Sequence, residues 1–117
     1  MNIAIVGSRG INDYELVKRI FNKYYGESDV SLIVSGGAKG VDTMAEKLAD
    51  ELKINKLIFH PDWDKHGKAA GFIRNKNIVE NADEVLAFWD GLSKGTKYTI
   101  GLANDAKKKV IVVEVLK

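Results

Sequence analysis

The stretch IVSGGAKGVDTMAEKLADEL, residues 33–52, decides the fold. Its first residues close a short apolar run. Its second half sets Val41, Met44, Ala45, Leu48, Ala49 and Leu52 at the i, i+3, i+4, i+7, i+8, i+11 spacing of one helix face. Between the strand pattern and the helix pattern stand Gly36, Gly37 and Gly40. Glycine takes positive φ and lets a ligand approach the backbone, and a loop entering a helix presents unpaired N–H groups at the positive end of the macrodipole. The loop reads as a phosphate cradle with Ser35 and Lys39 as further donors; a tight turn with no ligand fits the same residues.

The unit recurs on both sides. Short, nearly continuous β-branched runs at 3–6, 30–34, 56–59, 85–88 and 110–115 suit strands buried on both faces. A first helix starts after Asn12 or Asp13, turns Leu16, Val17, Ile20, Phe21 and Tyr24 inward, and stops at Gly26. A third helix is expected over 68–81. A fourth, over 96–107, ends on Lys107, Lys108 and Lys109, which complement its dipole. Strands alternating with helices, with no strong hairpin signal, predict an α/β fold: a three-layer Rossmann-like sandwich around a five-stranded parallel sheet, one domain over 1–117. The single long irregular segment is HPDWDKHGKAAG, 60–71.

A formal net charge of +2 does not by itself announce a nucleic-acid protein. The chain has no cysteine, which excludes disulfides and thiolate chemistry and fits a reducing compartment. It opens on a strand pattern, MNIAIVG, with no signal segment and no apolar run near the ~20 residues of a membrane span, so a cytoplasmic protein without a membrane partner is expected.

In an open parallel sheet, ligands bind beyond the carboxyl ends of the strands. The loops there are GSRG (7–10), SGGAKG (35–40), the segment 60–71 and WDGLSKGT (89–96). Neither G-x-x-x-x-G-K-[ST] nor G-x-G-x-x-G occurs, so neither ATP hydrolysis nor ordinary dinucleotide binding follows. Asp42, at the start of the second helix, either caps or serves as a ribose acceptor and general base; both roles stay open. Arg74 offers a planar fork for phosphate and Asn75 an amide able to read a polar edge. Trp63 and Trp89 either stack on a nucleobase or cover the core. His60 and His66 are the only histidines and carry no metal-ligand spacing, so neither a metal site nor a resident cofactor is expected, and no G-x-S-x-G elbow is present.

Taken in order, GSRG, SGGAKGVDTMAE, WDKHGKAAGFIRNKNIVENAD and AFWDGLSKGTKYTIGLA resemble the YspA-like (cpYpsA-related) branch of the SLOG superfamily, the group that includes the DNA-processing protein DprA and the LOG-type phosphoribohydrolases. The resemblance implies strand order 3-2-1-4-5 and a nucleotide pocket at the carboxyl edge. By position it implies that Gly7, Ser8 and Arg9 line the pocket floor. Ser35, Gly36, Gly37, Gly40 and Asp42 would form the second loop, Arg74 and Asn75 an RN pair, and Ser93, Gly95 and Thr96 a phosphate-binding turn. Two departures matter. The LOG-type motif carries a catalytic glutamate where this chain has Thr99, and DprA has a histidine where this chain has Glu46.

Three functions follow as expectations. One is a binding or sensing module for an ADP-ribose-like or NAD-like molecule. Another is an enzyme cleaving an N-glycosidic bond, with Asp42 or Asp90 activating water. The third is a DprA-like binder of single-stranded nucleic acid, using Lys39, Lys65, Lys68, Arg74, Lys76, Lys94 and Lys97. Relatives in the superfamily commonly dimerise, so a homo-oligomer is expected as well.

Overall fold

A computed structural model describes residues 1–26 and 29–115 and turns the five apolar runs into strands β1 (Asn2–Gly7), β2 (Leu32–Ser35), β3 (Asn55–Ile58), β4 (Glu84–Trp89) and β5 (Lys109–Glu114). All pairings are parallel, in the order β3-β2-β1-β4-β5. The helices are α1 (Tyr14–Tyr24), α2 (Val41–Leu52), α3 (Trp63–His66), α4 (Ala70–Glu80) and α5 (Lys94–Asp105). This is the expected Rossmann-like sandwich.

Side chains alternate across a strand, so β1 serves two cores. Ile3 and Ile5 join Val17 and Phe21 of α1 and Val41 and Leu48 of α2. Ala4 and Val6 join Ile78 and Val79 of α4 and Ala103 of α5. Being buried on both faces is why β1, β2 and β4 read as continuous apolar runs and not as alternating ones. β5, at the sheet edge, is only partly buried, and Val112 is 42% exposed.

Several element ends differ from the sequence expectation. Asp13, not Asn12, caps α1, its Oδ1 accepting from the Leu16 amide at 3.1 Å. The helix ends at Tyr24, and Tyr25 turns extended (φ −132°) before Gly26 is reached. Leaving the helical period there swings Tyr25 into the core beside Phe21, with its hydroxyl donating to Glu84 Oε1 at 3.0 Å, while Tyr24 stays exposed.

The segment 60–71 is not irregular. Asp62 Oδ1 accepts from the Lys65 amide and starts α3, and a 3-10 turn, Gly67–Ala69, leads into α4. α4 therefore begins at Ala70, two residues later than expected. α5 begins two residues earlier than expected, because Ser93 caps it by accepting from the Thr96 amide at 3.3 Å. Lys107 (φ 58°) ends it, with the Lys107 and Lys108 amides returning to the Asn104 and Ala103 carbonyls. The terminal lysines do not all serve α5: Lys108 Nζ donates to the Val79 and Glu80 carbonyls at the end of α4, and Lys109 is already in β5.

Candidate functional site

Close packing of glycine backbone brings the loops after β1, β2 and β4 together. A Cβ on Gly7 would lie 2.6 Å from the Phe88 carbonyl and from Val41 Cγ2. Gly40 has φ 79°, and a Cβ there would lie 2.5 Å from the Arg9 carbonyl oxygen. Two buried serines brace the same junction. The Asp90 amide donates to Ser8 Oγ at 3.1 Å, and Ser35 Oγ donates to the Ile5 carbonyl at 2.7 Å.

The edge so formed encloses a cleft of about 390 Å³. Among the residues expected from sequence, Gly7, Arg9, Asp42, Arg74, Asn75, Ser93, Gly95 and Thr96 line it. Asp90, the alternative acid, lines it too, and Val6, Gly10, Ala38, Ile78 and Thr99 complete it. Two of these follow from helical spacing: Ile78 lies one turn beyond Arg74 on α4, and Thr99 one turn beyond Thr96 on α5. Thr99, standing where the LOG-type motif has its glutamate, is buried and donates to the Gly95 carbonyl at 3.0 Å.

A neighbouring cleft of about 440 Å³ takes Gly37, Lys39 and Trp63, together with His60 and Pro61, and shares Arg9, Ala38 and Arg74 with the first. Ser8, Ser35, Gly36, Gly40 and Trp89 line neither. Trp89 braces its own loop, its Nε1 donating to the Ser93 carbonyl at 3.0 Å.

Asp42 sits in the first turn of α2, whose N-cap, Gly40, offers no side-chain cap. Its carboxylate braces the preceding loop, Oδ2 accepting from the Ala38 amide at 3.2 Å. Burial pushes its pKa up to about 6, and the Ala38 N–H and the charge of Arg74 pull only part of that back. Burial lowers the Arg74 pKa from its ordinary value, opposed by Asp42. The guanidinium is oriented from two sides: Nη1 donates to the Gly36 carbonyl at 2.6 Å and Nε to Asn75 Oδ1 at 2.8 Å. Its remaining donors are available to a ligand. Asp90 has its Oδ1 committed to the Leu92 and Ser93 amides, both at 2.8 Å, shaping the turn at Gly91 (φ 81°).

The arrangement suits an anion carrying a hydroxylated group: two arginines, the first turns of α2 and α5, and a buried acid in one hollow. Among the described residues no helix is long and apolar enough to cross a membrane.

DprA from Streptococcus pneumoniae superposes with a TM-score of 0.81 over 97% of this chain at 20% identity. DprA from Helicobacter pylori, solved for its single-stranded DNA binding mode, gives 0.67 over 96% at 22% identity. The chain spans 50% of the first and 64% of the second, and at these identities the likeness is one of fold. Gene 61 protein of Mycobacterium phage D29 is 34% identical over 116 residues, covering 93% of each chain. Residues 1–66, which carry the loops after β1 and β2, match the family model described as YspA, cpYpsA-related SLOG family. With a model match across more than half its length and a relative 34% identical over 93% of it, the chain belongs to the YspA, cpYpsA-related SLOG family.

Proposed function

We propose that the chain binds a nucleotide or nucleotide-derived small molecule of the ADP-ribose or NAD type in the first cleft, as a binding or sensing module. The observation that carries this is the meeting of Arg9 and Arg74 on a hollow whose other wall is the first turn of α5, Gly95 and Thr96. A forked guanidinium beside helix-terminal amides is phosphate-binding chemistry, and the volume falls in the range of small-ligand sites. In this reading Asp42, on the same hollow, accepts a ribose hydroxyl. Calorimetry with ADP-ribose tests the reading: R74A is expected to weaken binding at least about tenfold. No heat from wild type at millimolar ligand, or equal affinity in an R9A/R74A double variant, overturns it.

One observation favours a second reading. A buried carboxyl titrating near pH 6 in a cleft is suited to general acid-base work, so the same site would support N-glycosidic bond cleavage with Asp42 activating water. Release of free base from a nucleoside monophosphate, lost in D42N, supports it; no turnover of any common nucleotide leaves the binding module alone. The H. pylori neighbour's single-stranded DNA raises a third occupant. Salt-dependent binding of an oligonucleotide without binding of ADP-ribose moves the assignment there.

A further inference from the structure

The two clefts are not independent hollows, because Arg9, Ala38 and Arg74 form a wall common to both. On the far side of that wall stands Trp63, 55% exposed, a large aromatic surface that the core does not claim. Asp62 caps the short helix that carries it, and its ring reaches toward Gly71, where a Cβ would lie 3.8 Å from Cη2. The His60 ring lies against Gly37, where φ is 71° and a Cβ would lie 2.5 Å from Cε1. Lys39, exposed, adds a cation to the same hollow.

Building on the nucleotide reading above, we propose that the second cleft is a base subsite, so that the ligand straddles the shared arginines. An aromatic base lies over Trp63, a pyrophosphate crosses Arg9 and Arg74, and the distal ribose-bearing half enters the first cleft toward Asp42. The ligand class is a nucleoside diphosphate joined to a second group, not a mononucleotide. Indole offers a flat π-face to any base at little conformational cost, and cations on a shared wall suit the linking phosphates more than either end. A mononucleotide fills one hollow and leaves the other to water.

The test uses ADP-ribose and ribose 5-phosphate as probes of the whole chain. W63A is expected to weaken ADP-ribose about tenfold or more and to leave ribose 5-phosphate unchanged. In the wild type, the Trp63 indole N–H resonance, assigned by its absence from W63F, is expected to move with ADP-ribose and to stay put with ribose 5-phosphate. If ADP-ribose binds but W63A matches wild type and the indole signal does not move, the base subsite is wrong and the nucleotide reading stands. If neither probe binds wild type, both fall.

Discussion

Arg74 Nη1 donates to the Gly36 carbonyl oxygen at 2.6 Å, tying α4 to the loop after β2. A side chain at position 36 would collide with that guanidinium at 2.7 Å and with Asp42 Oδ2 at 2.9 Å. Gly36 is therefore the empty space that lets a cation and a buried acid flank one loop. The first cleft takes its charge pattern from this contact.

Replacing Arg74 by lysine keeps the charge but loses the planar fork that bonds Gly36 and Asn75 at once. R74K is expected to bind ADP-ribose about tenfold more weakly by calorimetry and to lose about 1–2 kcal/mol in urea unfolding. Wild-type values in both measurements would show that the fork is dispensable.

Asp42 gives a pH-dependent prediction. Its pKa is about 6 in the fold against an ordinary 3.8, so between those values the native state binds more protons than the unfolded chain. Unfolding free energy therefore falls as pH rises through that window, and above it the ionised acid costs the fold on the order of 3 kcal/mol. D42N, whose amide oxygen still accepts from Ala38, is expected to raise Tm at pH 7.5, with the gain shrinking as pH falls below about 6 and gone below about pH 4. A gain independent of pH would point to packing and not to charge.

The glycines divide into two kinds. Gly40, with positive φ and the Arg9 carbonyl 2.5 Å from any Cβ, does not accommodate alanine, and G40A is expected to cost about 3 kcal/mol or more. Gly95 has open space around a Cβ, on a helix, so G95A is expected to be neutral or to stabilise by about 0.5–1 kcal/mol. Chemical denaturation of the two variants separates the cases, and equal losses would contradict the distinction.

Period and glycine placement made the sheet legible in the sequence, because the central parallel strands, buried on both faces, leave short continuous apolar runs between helix patterns. What stayed hidden depends on contacts between distant parts of the chain. Ser8 and Ser35 look like ligand donors in sequence, yet their hydroxyls brace loops and lie buried. Trp63 and Trp89 look alike on the rim, but of the two clefts described Trp63 lines one and Trp89 neither, its indole N–H donating to the Ser93 carbonyl. Tyr24 and Tyr25 exchange roles because the helix ends at Tyr24, two residues before the glycine expected to stop it. Asp62, an N-cap residue type followed three residues on by the Lys65 amide it accepts from, is the signal in the sequence that marks α3.

Backbone amide chemical shifts during an ADP-ribose titration test the central claim most directly. The amides of Arg9, Ala38, Arg74, Ser93 and Thr96 are expected to move together and saturate with one dissociation constant. Silence at millimolar ligand, or changes confined to the outer face of α5 around Lys97, Tyr98 and Leu102, where a separate surface hollow lies, would contradict it.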